Sequence, residues 1–375
     1  MKNHLALTLI LVCLLPQLTA CSGGNSSSAP SAIASSVAPK GDRLLGMDVV
    51  STTPAMTFDA TVTKAKTAGA QFMTLAVLWS DANTTGTTYN ATSINTIKTI
   101  ATYCAANNLK LSLTVWTVDT LGKHVPADLA TTRFEDGPHT MANRFVLFLD
   151  KLFITEGINP ALFTSIQIGN ELDAYNAGGD ANFSWSDYGT FLYQVKLLKA
   201  GKTYAAIPIG FTGTMDGLNI QKTVFTALAS SVDIVGVTYY PMNANFTVKD
   251  PSVVTTDFAT LVSNYSTTAK PIYIQEAGYQ SGSTACNSSQ DKQKQFVNNI
   301  FTAWDTYRST VKAVSFLRMN DVSNSSATTT ATTYGITSNV PAFIEYIETL
   351  GFVAYNGTVK SAYQTLAENA HARGW

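Results

Sequence analysis

The chain has 375 residues and a mass of 40.1 kDa, and only 13% of its residues are charged, with a formal net charge of −1. This balance provides no basic surface for nucleic acid, so we exclude that class of partner. Histidine is scarce: His4 lies in the leader, and the remaining three, His124, His139 and His371, show no HExxH spacing. We therefore expect no histidine-built metal site and no cofactor.

The start of the chain predicts export. A short polar beginning precedes an apolar run over residues 5–15, which is too short for a comfortable membrane span and typical of a secretory signal. The Leu-Thr-Ala-Cys segment that ends at Cys21 resembles a bacterial lipobox, which implies a signal peptide over residues 1–20 and lipidation of Cys21. The alternative is an ordinary signal peptide with an incidental cysteine. Ser22 resembles the sorting residue of Gram-negative lipoproteins and favours the outer membrane.

A tether is predicted after the signal. Residues 21–42 are rich in Ser, Gly, Ala and Pro and carry no charge before Lys40, so they cannot bury enough apolar surface to fold. Beyond them, Cys104 lies on an apolar helical stripe and Cys286 lies in a polar loop. An oxidising envelope permits a disulfide between these two cysteines, but no local feature demands it, so the pairing stays open.

Residues 43–375 alternate short apolar runs with amphipathic stretches. Eight runs are nearly continuous in apolar and β-branched residues, as expected for parallel strands covered on both faces. The predicted strands are Leu44–Val49, Phe72–Trp79, Leu109–Trp116, Phe163–Asn170, Ala205–Phe211, Val232–Tyr240, Pro271–Glu276 and Val311–Leu317.

Helical periodicity separates these strands, for example in the spacing of Val297, Ile300, Trp304 and Tyr307. Eight β-then-α units in one chain predict an α/β fold with a single (β/α)₈ TIM barrel. A doubly wound open sheet is the alternative. That fold usually has a glycine-rich phosphate loop after its first strand, which residues 46–49 do not form.

Two glutamates close predicted strands: Glu171 ends the fourth and Glu276 the seventh. The carboxyl ends of barrel strands form the open, catalytic face. Two carboxylates facing across that mouth suit glycosidic bond cleavage with retention, in which one attacks the sugar and the other protonates the leaving oxygen. The attacking group must be ionised while the donor is protonated, so the two need unlike surroundings. For either glutamate alone, pairing with a surface cation is the alternative.

Short motifs along the barrel resemble the clan A glycoside hydrolases, a superfamily of retaining (β/α)₈ enzymes. Segments 46–51, 168–171, 236–241 and 276–279 are similar to endo-β-1,4-galactanases, and the last also resembles β-1,3-glucanases. The resemblance implies a retaining β-glycoside hydrolase that acts as an endo enzyme on a β-linked polysaccharide. It makes Glu171, which follows Asn170, the general acid/base and Glu276 the nucleophile.

Several residues are expected to support this pair. Strand alternation allows only one of Tyr239 and Tyr240 to face the mouth. The resemblance to clan A enzymes, which commonly place the tyrosine partner of the nucleophile one or two residues before the loop, implies that Tyr240 is the donor to Glu276. Asn170 is expected to bond the sugar 2-hydroxyl, an interaction that strengthens in the transition state. Asp48 is a candidate contact for sugar hydroxyls, with loop bonding as its alternative.

Three aromatic residues are candidate platforms for a pyranose ring. Trp79 and Trp116 close the second and third predicted strands, and Tyr279 follows the nucleophile. For each tryptophan the alternative is a rim residue that packs a loop. Trp304 differs, because its helical spacing places it in the core.

The chain also departs from the clan. Many members carry an arginine after strand one or two, a histidine on strand three and a tryptophan after strand eight. After its eighth predicted strand this chain instead has Leu317, Arg318 and Met319. A transglycosylase that uses the same two carboxylates is one alternative. The altered end of strand eight motivates another, a surface glycan-binding lipoprotein without turnover, against which the intact pair of glutamates argues. Residues 323–333 are predicted to be a mobile rim loop. We expect a monomer, and the sugar and linkage are not determined by the sequence.

Overall fold

The computed structural model describes residues 37–49, 53–175 and 180–375. The predicted signal peptide at 1–20, the lipidation site Cys21 and most of the predicted tether lie outside the described residues. Within the described ranges, no helix combines the length and the apolar character needed to cross a membrane.

Eight parallel strands close into a barrel, with each strand paired to the next along the chain and the last paired to the first. The strands are β1 Leu44–Met47, β2 Phe72–Leu78, β3 Lys110–Trp116, β4 Phe163–Ile168, β5 Ile209–Thr214, β6 Ile234–Tyr239, β7 Ile272–Ala277 and β8 Val311–Phe316. Most strand residues are buried, because one face meets the barrel axis and the other meets helices. The predicted single (β/α)₈ barrel is confirmed.

Helices surround the barrel. They are α1 Phe58–Thr67, α2 Trp79–Ala82, α3 Ala91–Ala106, α4 Thr140–Asp150, α5 Trp185–Lys199, α6 Met215–Ile220, α7 Lys222–Ala229, α8 Val253–Tyr265, α9 Gln290–Thr306, α10 Asn324–Thr333, α11 Val340–Glu348 and α12 Ser361–Arg373. Short 3₁₀ segments lie at Ala127–Leu129, Pro160–Leu162, Leu172–Ala174 and Ser266–Thr268, and a π-helical segment at Lys151–Thr155. Two small antiparallel hairpins pair Asn83–Thr85 with Thr88–Tyr89 and Val118–Asp119 with Gly122–Lys123.

Helix α9 shows how local sequence forms these elements. The Ser289 side chain caps its first turn by accepting a hydrogen bond from the Lys292 amide at 3.1 Å. The helix then buries an apolar stripe that includes Ile300 and Trp304. The Trp304 indole is fully buried and donates to the Val311 carbonyl at 2.9 Å, so its predicted core position is confirmed.

The fifth strand lies further along the chain than predicted. The prediction placed it at 205–211, whereas β5 begins at Ile209 and residues before it form turns. The ammonium group of Lys199, which is only 4% exposed, donates to the carbonyls of Ala205 and Ile207 at 2.7 and 2.8 Å. Since a lysine binds these carbonyls, they do not join the strand ladder.

The predicted mobile loop at 323–333 is instead helix α10. Ser323 caps the helix by accepting from the Ser326 amide at 3.1 Å. Threonine hydroxyls along the helix donate to carbonyls four residues earlier, which satisfies them without opening the helix. Ala327 and Ala331 provide a small apolar face that is buried. The polar composition that suggested a loop therefore describes one solvated face of a packed helix.

Helices α10 and α11 form a hairpin over the barrel mouth with its own apolar core, separate from the main one. We call this core the hairpin cluster. Its buried members are Cys286, Ala327, Ala331, Phe343, Tyr346, Ile347 and Leu350. Phe343 lies edge-on to Phe246 at 5.0 Å, and Tyr346 lies edge-on to Tyr240 at 5.8 Å. The cluster thus holds the hairpin next to the carboxyl ends of β6 and β7.

Cys104 and Cys286 are both buried, and each has a free thiol. The Cys104 sulfur lies 3.7 Å from that of Met73, and the Cys286 thiol donates to the Ala342 carbonyl at 3.1 Å. The pairing that the sequence left open does not occur in this structure.

Candidate active site

Glu171 leaves β4 through a turn in the left-handed backbone region. Gly169 has a φ of 83° and Glu171 a φ of 45°. A Cβ atom on Gly169 would lie 2.5 Å from the Tyr188 hydroxyl, so only glycine fits there. The Glu171 carboxylate accepts hydrogen bonds from Thr238 Oγ1 at 2.8 Å and from Thr120 Oγ1 at 3.2 Å. These two hydroxyls fix its orientation at the open end of the barrel.

Glu276 lies on β7, where a bulge changes the direction of its side chain. The register with β6 shifts by one residue between Ile274 and Glu276, so Gln275 is an extra residue. Gln275 points into the barrel and accepts a hydrogen bond from Ser112 at 3.0 Å. The bulge re-aims Glu276 toward the mouth. There Tyr240 donates its phenol hydrogen bond to Glu276 Oε2 at 2.5 Å.

The protonation of Glu276 depends on its partner. Burial and then the negative charge of Glu171 raise the pKa of Glu276 to about 7, against the lowering effects of the Tyr240 hydrogen bond and the Arg318 charge. A proton on Glu171 removes one of these causes and lowers the pKa of Glu276. The two carboxylates therefore titrate as a pair and share one proton over a range of pH.

The surroundings of Glu171 are more anionic. Burial raises the pKa of Glu171, hydrogen bonds from Thr238 and Thr120 oppose this, and the charges of Asp173 and Asp119 add to it. Glu276, by contrast, has a cation among its neighbours. The Tyr240 hydrogen bond and the Arg318 charge favour the ionised form of Glu276, but burial and the charges of Glu171 and Asp48 outweigh them and leave its pKa at about 7.

Three more predicted residues lie at the same mouth. Asp48 follows β1, and its charge contributes to the raised pKa of Glu276. Asn170 is 8% exposed, and its side-chain amide makes no hydrogen bond to any described residue. Trp116 ends β3 with a partly exposed ring and a buried indole nitrogen that has no partner. Asn170 and Trp116 thus hold polar groups that the fold does not use.

Tyr239 does not join the site. Its ring is 2% exposed and packs near Phe258, and its hydroxyl donates to Asp257 at 2.7 Å on the helical side of β6. Alternation along the strand explains the difference, because adjacent side chains point to opposite faces. Of the two tyrosines, the structure places only Tyr240 against Glu276.

Two predicted sugar platforms are wrong. Trp79 is fully buried and packs edge-on against Phe145 at 5.2 Å, since β2 ends one residue earlier and the chain turns into α2. Tyr279 is 1% exposed, stacks on Phe296 at 5.1 Å and donates to the Lys249 carbonyl at 2.7 Å. Neither ring has a face available for a ligand.

Asp119 supports the site from the hairpin after β3. It is 2% exposed, accepts from the amides of Leu121 and Gly122 and lies 2.7 Å from His124 Nε2. These bonds hold the hairpin that carries Thr120 to Glu171. Sequence reading could not find this role, because it depends on which loop folds against the fourth strand.

The segment after β8 contributes three residues that the sequence analysis did not assign to the site. Arg318 follows the cis peptide between Leu317 and Arg318, and its charge lowers the pKa of Glu276. Burial, followed by the charges of Glu171 and Glu276 among other neighbours, raises the pKa values of Tyr334 and Tyr346. Both tyrosines lie in the α10–α11 hairpin, close enough for the charges of both carboxylates to affect their pKa values. The one sequence feature that could have indicated this part of the site is Arg318, at the position after strand eight where many clan A enzymes have tryptophan.

The site offers carboxylate chemistry. Among the described residues, no group of three or more His, Cys, Asp and Glu side chains is placed to hold a metal ion. The half-buried pair Glu171 and Glu276 can together supply one proton and one negative charge to a bound molecule.

At the level of sequence, no protein-family model and no curated protein matches the chain. Solved structures match its fold. A GH5_18 protein from Streptomyces cattleya in complex with GlcNAc aligns with a TM-score of 0.62 and 14% identity over 90% of this chain and 80% of its own. An exo-β-1,4-mannosidase from Opitutaceae bacterium strain TAV5 aligns with a TM-score of 0.63 and 14% identity over 88% of this chain and 59% of its own.

Fungal β-1,4-galactanases align with a TM-score of 0.58 and 15% identity over 87% of this chain and 99% of theirs. At these identities the likeness concerns the fold. The chain has the barrel fold of these glycoside hydrolases, and the predicted resemblance to clan A enzymes and galactanases is confirmed at that level.

Proposed function

We propose that the protein is a retaining β-glycoside hydrolase, with Glu171 as general acid/base and Glu276 as nucleophile. One observation carries the proposal: two half-buried carboxylates at the ends of β4 and β7 interact strongly enough for the charge of one to raise the pKa of the other. Such a pair, with one proton between two unlike surroundings, is the arrangement that double displacement at a sugar requires.

The neighbouring groups fit these roles. Tyr240 donates to Glu276 and the Arg318 charge favours its ionised form, as a nucleophile requires. Glu171 has anionic neighbours, which favour the protonated form that a leaving oxygen needs. Asn170 precedes the acid with an unused amide, available to a sugar 2-hydroxyl. The fold neighbours named above include enzymes for β-linked mannosides and galactans, which supports a β-linked substrate.

The decisive experiment combines a substrate screen with stereochemistry. Purified protein is incubated with β-1,4-galactan, β-1,3-glucan, β-1,4-glucan, mannan and xylan, and new reducing ends are measured. Proton NMR of the first product then reports its anomeric configuration. We expect a β product that mutarotates slowly to the mixture. An α product would contradict the double displacement, and no product with any glycan would favour the non-catalytic alternative.

We propose endo action on a polysaccharide, as the resemblance to galactanases implies. Viscosity of the responsive polymer should fall much faster than reducing ends accumulate. Release of mono- or disaccharides without loss of viscosity would show exo action instead. The product profile at high acceptor concentration separates hydrolysis from transglycosylation by the same carboxylates.

We also propose that the protein is anchored in the bacterial outer membrane through lipid on Cys21. The support is the lipobox-like segment before Cys21 and the tether-like composition after it. Expression of the full chain in a Gram-negative host, followed by membrane fractionation and mass spectrometry of the mature N-terminus, tests this. We expect a lipid-modified Cys21, and the Cys21→Ala variant should lose the modification. An unmodified mature protein in the periplasmic fraction would contradict the anchor.

A further inference from the structure

Arg318 is exceptional among the arginines. Within the described residues, the other five, Arg43, Arg133, Arg144, Arg308 and Arg373, each donate a side-chain hydrogen bond to a carboxylate or carbonyl oxygen. Arg318 makes no such bond to any residue that the structure describes, and its Nε atom is buried without a partner among them. A buried donor without an acceptor costs free energy, so its persistence at the barrel mouth points to an acceptor that arrives with a ligand.

Two tyrosines beside Arg318 also have unused hydroxyls. Tyr334 ends α10 and is 37% exposed, and its hydroxyl makes no hydrogen bond to the described part of the chain. Tyr346 of α11 is 8% exposed and likewise makes none. Fully buried tyrosines elsewhere use their hydroxyls within the fold, as Tyr204 does with Asp150 at 2.6 Å and Tyr188 with Thr117 at 2.8 Å.

These donors are held in place before any ligand binds. The Tyr346 ring packs edge-on against Tyr240, the hydrogen-bond donor of Glu276, and against Phe343. Tyr334 contacts Phe343 as well, at 6.2 Å between ring centroids. Ring packing thus fixes both tyrosines near enough to Glu171 and Glu276 for the two carboxylates to affect their pKa values, and this preorganisation lowers the entropy cost of binding.

The local charge favours an uncharged ligand. With one proton shared, the Glu171 and Glu276 pair carries one negative charge, and the charges of Asp48 and Asp119 also act on this pair, so the guanidinium of Arg318 leaves no surplus positive charge. Asp321 is already bound by Lys360 at 2.7 Å. A carboxylate or sulfate on the ligand would find no surplus positive charge here, whereas hydroxyl oxygens can accept from all three donors.

We propose that Arg318, Tyr334 and Tyr346 form a sugar-binding wall that donates hydrogen bonds to hydroxyl oxygens of an uncharged sugar residue next to the cleaved bond. The proposal rests on the function proposed for the site and specifies its substrate class. It also gives the α10–α11 hairpin a role: the hairpin brings phenol donors to a mouth that lacks the usual tryptophan.

The test uses Tyr334→Phe and Tyr346→Phe, which remove one hydroxyl each and keep the ring. The matched control is Tyr193→Phe, since Tyr193 is 47% exposed on α5, away from the mouth. Affinity for neutral β-linked galacto-, gluco-, manno- and xylo-oligosaccharides is measured by titration calorimetry in a Glu171→Gln background. Each variant should bind the best of these oligosaccharides roughly 3- to 10-fold more weakly, and the control should not change. Wild-type affinity in both variants, with unchanged melting temperatures, would overturn the wall.

A parallel arm tests the charge. The same titrations use oligosaccharides with uronic acid or sulfate groups at two salt concentrations, with and without Arg318→Met. Binding restricted to these acidic sugars, weakened by salt and lost in Arg318→Met, would overturn the uncharged class. Binding without hydrolysis by wild type would reject the proposed function while the wall stands. Hydrolysis with full affinity in the tyrosine variants would reject only the wall, and no binding to any sugar would reject both.

Discussion

The two sides of the barrel mouth differ in how their polar groups are used. On the side formed by β4, β6 and β7, the carboxylates of Glu171 and Glu276 accept hydrogen bonds from Thr238, Thr120 and Tyr240. On the side formed by the segment after β8, Arg318, Tyr334 and Tyr346 have donors that find no acceptor in the described part of the chain.

The difference teaches what each side does. Groups that must act at a fixed place and protonation state are oriented by the fold itself. Groups that bind a ligand keep unsatisfied hydrogen-bond donors until the ligand arrives, which makes the free protein less stable. Substitutions on one side should therefore change its function while sparing the other side.

The largest effect is expected from the carboxylates. Glu171→Gln and Glu276→Gln should each lower kcat/KM on the polysaccharide by roughly 10³-fold or more, because each removes a group of the reaction itself. An aryl glycoside with a good leaving group separates them, since it needs no protonation. Glu171→Gln should form the glycosyl-enzyme rapidly with that substrate, seen as a burst, and Glu276→Gln should not. Equal behaviour of the two variants would contradict the assigned roles.

Loosening the hairpin should affect the other side. Phe343→Ala removes a buried ring of the hairpin cluster and should destabilise the α10–α11 hairpin by about 3 kcal/mol. Because this cluster is separate from the main core, we expect local opening: faster proteolysis near α10 and weaker glycan binding, with a small change in melting temperature. The matched change Phe301→Ala, in the main core, should lower the melting temperature instead. Identical global unfolding in both would show that the hairpin is not an independent unit.

The turn before Glu171 tests the fixed side through its backbone. Gly169→Ala places a Cβ atom against Tyr188 and forces a side chain into the left-handed region, which should cost roughly 1–3 kcal/mol of stability and shift Glu171. Chemical denaturation and kcat measure the two effects. Gly201→Ala is the control, since no atom lies within 4 Å of its added Cβ. A fully active and stable Gly169→Ala variant would show that this turn does not position the carboxylate.

The smallest effect concerns pH. Tyr240→Phe removes a hydrogen bond that favours the ionised form of Glu276, so the pKa of Glu276 should rise further. A nucleophile with a higher pKa becomes ionised at a higher pH, and the acid limb of the kcat/KM profile should move upward by about 0.5 to 1 pH unit. Tyr239→Phe is the control, because its hydroxyl bonds Asp257 on the other face of β6. A downward shift, or the same shift in both variants, would contradict the role of Tyr240.

The sequence could predict the parts that depend on local patterns. Apolar runs and helical stripes are set by neighbours along the chain, so the eight strands and the barrel followed from periodicity, and the strand ends located Glu171 and Glu276. Alternation along β6 predicted that only one of Tyr239 and Tyr240 faces the mouth, and the resemblance to clan A enzymes selected Tyr240. The fifth strand was misplaced because the ammonium group of Lys199, at the end of α5, binds the carbonyls that would have continued the strand.

Other features depend on contacts between segments far apart in the sequence. Whether an aromatic residue at a strand end faces a ligand or the core is decided by where the next segment turns, which is why Trp79 and Tyr279 are buried and Trp116 is not. Residues 323–333 look like a loop by composition, and only packing against α11 shows that they form a helix.

By itself, the sequence determined the barrel and the positions of the two glutamates along the chain, because strand order fixes which residues reach the open end. Only the tertiary structure decided which groups surround them. The bulge at Gln275, the carboxylates near Glu171 and the donors after β8 come together from separate strands and helices. Local sequence does not predict these contacts, since they depend on how the closed barrel brings distant segments together.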